Sequence, residues 1–174
     1  MKKLPCWLLL MSSFVHAQSI DVEYDRNRDF SVYKTFKFGD SQIITPEDQK
    51  KISDEKLNKW VISAITEELT LKGLKKSDSA ADLTITYAAG TLARSDVERV
   101  GPVPLTPGRD ANSNMMYEYR QISLIIDLND RSNNLIWRIN STTNMTGDEG
   151  EGLIDAIVVK GFKKFGRAPK HKRK

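Results

Sequence analysis

The densest concentration of a single side-chain chemistry lies at the C-terminal end. Lys160, Lys163, Lys164, Arg167, Lys170, Lys172, Arg173 and Lys174 are cationic, and 160–174 contains no acid. Ammonium and guanidinium groups gathered over so short a stretch attract polyanions or an anionic membrane surface, at about 1 kcal/mol per residue close to the surface. These eight residues form the candidate polyanion-binding set. The opposing reading is a solvated tail with no partner. Nucleic acid is not an expected partner, because the start of the chain reads as a secretory signal and an exported protein rarely meets it. A second concentration is one of oxygen ligands: Asp127, Asn129, Asp130, Asn133 and Asn134. Calcium takes such clusters in tight loops, but the glycine-containing Asp-x-Asp pattern and the closing bidentate Glu are missing. Asp and Asn build turns without a metal, so no metal site is expected.

Covalent and acid–base chemistry has few candidates. The two histidines are His16 and His171, the latter in the cationic tail, and a triad needs a histidine held in place. Asp25 with Asp29, or Asp127 with Asp130, are the carboxylate pairs that would have to converge for hydrolysis. No glycine-rich phosphate loop and no dinucleotide fingerprint occurs, so no cofactor is expected and no catalytic residue is assigned. Trp137 beside Arg138 is either a binding platform or a core residue, and its alternation with Leu135 and Ile139 favours the core.

The charge distribution separates the tail from the rest. The chain has 174 residues, 27 basic and 23 acidic, net +4. Two of the basic residues lie in 1–17 and eight in 160–174. Residues 18–159 therefore hold 17 basic against all 23 acidic ones, a net of −6. An acidic body with a basic end points to an interaction tail or a solubilising one. Hydrophobic residues make up 39%, enough to exclude wholesale disorder. The length suits one domain, expected over 18–167, with 168–174 a disordered basic tail.

The start of the chain reads as a secretory signal over 1–17. Lys2 and Lys3 precede a mostly apolar run from Cys6 to Val15, and Val15-His16-Ala17 matches small-x-small cleavage before Gln18. The run is shorter than the roughly 20 residues that span a bilayer. Cys6 is the only cysteine and lies inside that segment, too early for a lipobox. The expected mature protein is exported, periplasmic or outer-envelope associated, without lipid anchor, disulfide or thiol. Export without cysteine fits a bacterial envelope better than an animal secretion.

The elements that must position these residues follow from periodicity. Ile20, Val22 and Tyr24 alternate with acids and form a first strand; Phe36 and Phe38 share one face of a second. Thr45-Pro46-Glu47-Asp48 reads as a helix start, with Leu57, Val61, Ala64, Ile65 and Leu69 at helical spacing and Lys72-Gly73 as its stop. Leu83, Ile85, Tyr87 and Ala89 give a strand reaching about Ala93. Ser95 to Met115, with Pro102, Pro104 and Pro107, shows no periodicity and reads as a long loop of the functional or disordered kind. Then Ile122, Leu124, Ile126 and Leu128, a polar turn, and Leu135, Trp137 and Ile139 form a hairpin. Thr146 and Glu149 suggest a capping box for a second helix running to about Gly166, weakened by glycines at 150, 152 and 161. The expected fold is α+β: a two-layer sandwich, one mainly antiparallel sheet of about five strands with two helices on one face.

Four stretches carry a resemblance. They are Asp29-Phe30-Ser31 with Tyr33-Lys34-Thr35-Phe36; Leu69 with Lys72-Gly73-Leu74; Ala81-Asp82-Leu83-Thr84-Ile85-Thr86-Tyr87; and Ile126-Asp127-Leu128 with Asp130 and Leu135-Ile136-Trp137-Arg138. Together they resemble the bacterial envelope family named domain of unknown function 4136. The resemblance implies a secreted or surface-attached bacterial protein with an α+β fold, and no reaction. Many members look like lipoproteins, from which this chain departs at the missing lipobox cysteine. The expected function is a non-enzymatic binding or interaction module of the envelope. The alternatives are a carboxylate-based hydrolase-like enzyme, or a structural protein held to anionic envelope material by its tail.

Overall fold

The computed structural model describes residues 19–99, 114–145 and 150–166. The leader, the capping box at Thr146 and Glu149, and the tail from Arg167 onward lie outside the described residues. So does the middle of the Ser95–Met115 stretch.

Among the described residues the fold is α+β, one open sheet of seven strands with two helices. The strands are β1 (Ser19–Tyr24), β2 (Thr35–Phe38), β3 (Gln42–Ile43), β4 (Lys75–Lys76), β5 (Leu83–Arg99), β6 (Asn114–Asp130) and β7 (Leu135–Met145). The helices are α1 (Asp54–Leu71) and α2 (Gly150–Gly161). Across the sheet the order is β1-β7-β6-β5-β2-β4, with β3 also on β5. β1–β7, β7–β6 and β6–β5 are antiparallel. β2 and β3 run parallel to β5, and β4 parallel to β2. The sequence reading missed β3 and β4 because a two-residue strand has no periodicity to detect. Their neighbours hold them: the Lys75 N–H donates to the Lys34 carbonyl at 2.8 Å and the Ile44 N–H to the Ala89 carbonyl at 2.7 Å.

The hairpin at the centre is the longest feature. Ile122, Leu124, Ile126 and Leu128 are fully buried, and cross-strand pairing aligns them with Thr91, Ala89, Tyr87 and Ile85 on β5. Ile85, Tyr87, Ala89, Leu124, Ile126 and Leu128 share one core with Leu57, Val61, Ile65 and Leu69 of α1 and with Ile154, Ile157 and Val158 of α2. A register shift between Leu128 and Asn129 changes the expected pattern on β7. Leu128 pairs with Trp137 and Asn129 with Leu135, so Ile136 is the extra residue. Ile136 is buried, while Leu135, expected in the core, is 45% exposed.

Three element boundaries differ from expectation. Glu47–Gln49 forms only a 3₁₀ turn, and α1 begins seven residues after Glu47 at Asp54. Pro46 makes no side-chain cap, whereas the Ser53 hydroxyl accepts from the Lys56 N–H, and Asp54 and Glu55 occupy the positive end of the helix. At its far end Gly73, φ 88°, takes the left-handed conformation that stops the helix. Second, α2 ends at Gly161 and a turn carries the chain through Phe162 to Gly166. Third, the expected loop is strand at both ends, because β5 continues to Arg99 and β6 starts at Asn114. Beyond the last β7 pairing, Arg120 with Met145, the pairs from Arg94–Tyr119 to Arg99–Asn114 form a two-stranded ribbon that leaves the sheet.

Candidate functional site

The carboxylates that would have served hydrolysis each have a structural partner. Asp25 Oδ1 accepts from the Asn27 N–H and Asp29 Oδ1 from the Ser31 N–H, both at 2.9 Å, so they close the turn before β2. Asp127 is locked in a two-point pair with Arg138, at 2.7 Å from Nε and 2.6 Å from Nη2. The Arg138 guanidinium fork matches the carboxylate across β6 and β7. Asp130 organises the hairpin turn by accepting from the N–H groups of Ser132 and Asn134 at 3.0 Å, and it receives Arg28 at 3.1 Å. The Asn134 backbone N–H is the main reason its carboxyl is held below the usual range. Asn133, φ 59°, supplies the left-handed residue of that turn.

Asp82 does the same work at the start of the adjoining strand, one residue before Leu83, which pairs with Asp130. It accepts from the Lys34 N–H at 2.8 Å, the Thr35 N–H at 3.0 Å and the Thr35 hydroxyl at 3.0 Å, and pairs with Arg131 at 2.7 Å. The Lys34 N–H contributes most to lowering its pKa. Tyr87 hydrogen-bonds Asn58 of α1, and burial pushes its phenol upward.

The aromatic residues are core. Trp137 is fully buried, stacked on Tyr24 at 4.2 Å and edge-on to Phe30 and Phe165, each at 5.3 Å. Phe30 is 3% exposed inside this cluster. The cluster joins β1, β7 and the turn after α2, and so fixes where that turn lies.

What that turn carries is cationic. Lys160, Lys163 and Lys164 are exposed and line a groove of about 440 Å³ together with Gly161 and with Ile20, Asp21 and Val22 of β1. The close approach of α2 to the sheet here depends on Gly161: a Cβ at that position would lie 2.5 Å from Ile139 Cδ1. The groove therefore brings three of the eight sequence-predicted cations beside a sheet edge, which spacing alone did not indicate. The other five, Arg167, Lys170, Lys172, Arg173 and Lys174, lie outside the described residues.

Fold and groove together define an α+β protein whose most concentrated described surface chemistry is a cationic groove at a sheet edge. The chain belongs to the family described as Domain of unknown function (DUF4136), which matches residues 20–165. A search of curated proteins gives no match. Among solved structures, a DUF4136 family protein from Bacteroides thetaiotaomicron superposes with a TM-score of 0.50 at 14% identity, over 84% of this chain and 95% of that one. The PelC dodecamer from Paraburkholderia phytofirmans superposes with a TM-score of 0.51 at 11% identity, over 86% of this chain and 97% of that one. At such identities the likeness is one of fold.

Proposed function

We propose that this chain is an exported bacterial envelope protein that works as a non-enzymatic interaction module, holding an anionic partner at the end of α2. The observation that carries the reading is the placement of Lys160, Lys163 and Lys164 around one groove. Asp25, Asp29, Asp82, Asp127 and Asp130 are all engaged in turns and ion pairs, which leaves them poorly placed for hydrolysis. The acidic body, net −6 over 18–159, repels polyanions elsewhere and so confines attraction to this end. The leader pattern at 1–17 supports export, with cleavage after Ala17, and the early position of Cys6 supports a mature protein without a lipid anchor.

The test uses heparin as a generic polyanion. Full-length mature protein should bind at low salt, and binding should fade as ionic strength rises, because exposed charges are screened beyond about 8 Å at physiological salt. Lys163→Glu combined with Lys164→Glu should abolish most of it. No binding, or binding indifferent to the double variant, overturns this reading. Intact-mass analysis of protein from the native envelope tests export: a retained Met1 or an acylated mass overturns that part.

A second reading, assembly of copies, draws on the ribbon at the far end of β5 and β6. Isolated two-stranded ribbons are marginal in water, and this one exposes Met116 (65%) and Tyr117 (47%). The structurally similar PelC is named as a dodecamer. Light scattering on the full chain decides it: a single monomer mass at all concentrations overturns assembly.

A further inference from the structure

The groove beside α2 has a wall that electrostatics alone does not explain. β1 pairs with β7 along its whole length, Ser19 with Thr142 through Tyr24 with Trp137, and is the last strand of the sheet on that side. Its outer edge carries no proline, no lysine and no break in register, and six residues span about 20 Å. In an antiparallel pair every second residue turns its N–H and C=O away from the partner, so among the described residues this edge offers a row of backbone groups with no strand opposite.

We infer that β1 is a docking edge for an extended acidic peptide segment of a partner protein, which adds as a further strand and places glutamates against Lys160, Lys163 and Lys164. This deepens the reading that the groove holds an anion. Pairing of backbone groups gives affinity and alternate side chains give specificity. The specificity is legible on β1 itself. Ile20 and Val22 are half-buried and alternate with the exposed Asp21 and Glu23, and Asp21 also reaches the groove that Ile20 and Val22 line with the three lysines. A ligand strand should therefore carry long acids on its helix side, their methylenes on Ile20 and Val22 and their carboxylates at the lysines. Its other face should carry neutral or basic residues opposite Asp21 and Glu23, since like charges across a strand pair repel.

The chain's own segments do not supply such a strand. Residues 167–174 are cationic, 1–18 contain no acid, and 100–113 hold three prolines, which lack the N–H a ladder needs. Residues 146–149 are tethered between β7 and α2. Antiparallel pairing of β1 with a second β1 would set Asp21 against Glu23 of the other copy, which disfavours that occupant.

The test uses a synthetic peptide of about eight residues alternating glutamate with threonine, and the same peptide N-methylated on its strand-pairing amides. Amide hydrogen exchange on the mature full chain reads the edge directly. The expected result is added protection confined to Ser19–Tyr24 with the parent peptide and none with the methylated one. Lys163→Glu with Lys164→Glu should weaken peptide binding about tenfold while leaving the melting temperature unchanged, since both side chains are exposed. Equal binding of the two peptides overturns strand addition. Heparin binding lost in the double variant, with no peptide protection of β1, overturns this inference and leaves the anion-binding reading standing. Protection of β1 that rises with protein concentration without peptide shows a second copy on the edge and also overturns it.

Discussion

The sheet ends in two different ways. At one end, β4 is two residues long, both lysines, both exposed, and pinned by neighbours: Lys75 N–H to Lys34 at 2.8 Å and Ser77 N–H to Phe36 at 2.8 Å. Asp82 clamps the adjoining start of β2. Shortness and lysines are the means by which proteins prevent edge-to-edge pairing. At the other end, β1 is six residues long and unbroken, backed by the Tyr24–Trp137 stack, with a cationic groove alongside. Among the described residues one edge is closed to further strands and the other has no strand beyond it, and that second edge coincides with the three lysines of α2 and its following turn.

The largest way to break that contrast is to remove the support of the open edge. Trp137→Ala empties the aromatic cluster beneath β1 and should cost about 3–5 kcal/mol in chemical denaturation. A loss under about 1 kcal/mol would place Trp137 outside the core. Next is Gly161→Ala, which sets a methyl group against Ile139 and should lift the end of α2 from β7. The expected cost is about 1–3 kcal/mol from overpacking, with weaker heparin binding as the groove changes shape. Unchanged stability would show that α2 shifts without strain.

At the closed edge, Asp82→Ala frees the Lys34 and Thr35 N–H groups and should cost about 1–2 kcal/mol, with faster amide exchange in β2 and β4. The same clamp gives a pH dependence. Asp82 and Asp130 have folded pKa values below their unfolded ones. Their stabilisation is therefore complete above the unfolded value of about 3.9 and is lost as pH falls through the folded values. Thermal melts in that acid range should steepen for the native chain and flatten for Asp82→Asn. An identical acid profile would exclude Asp82 as a contributor. The smallest effect on stability belongs to deletion of Ala168–Lys174, a segment with almost no apolar side chains. The melting temperature should stay within about 1 °C of the parent value, while heparin binding at low salt weakens. Undiminished binding would assign the whole attraction to Lys160, Lys163, Lys164 and Arg167.

Periodicity made the long elements legible because each buries one face. Ile122 to Leu128 alternate on β6 and Leu57 to Leu69 recur at helical spacing on α1; all are buried, and Leu124, Ile126 and Leu128 share the core of α1. The start of α1 was misread because Thr45-Pro46-Glu47 and Ser53-Asp54-Glu55 both look like caps. Only the second is followed at once by residues that pack. The glycines of α2 read from sequence as defects in a helix. In the structure Gly161 is the close contact that seats α2 on Ile139, and Gly150 sits against Trp60, where a Cβ would lie 3.1 Å from its ring.

The site divides in the same way. The sequence by itself determined that the cations gather at one end of an acidic chain, that the hairpin is core, and that the carboxylates flank turns, because composition and two-residue or 3.6-residue periods are local properties. It did not determine that β1 ends the sheet, that Ile136 replaces Leu135 inside, or that Lys160, Lys163 and Lys164 face β1 across a groove. Those depend on which strands pair over more than a hundred residues of separation and on one register shift between β6 and β7. Long-range pairing is chosen by how the whole core closes, and no short stretch of sequence encodes it.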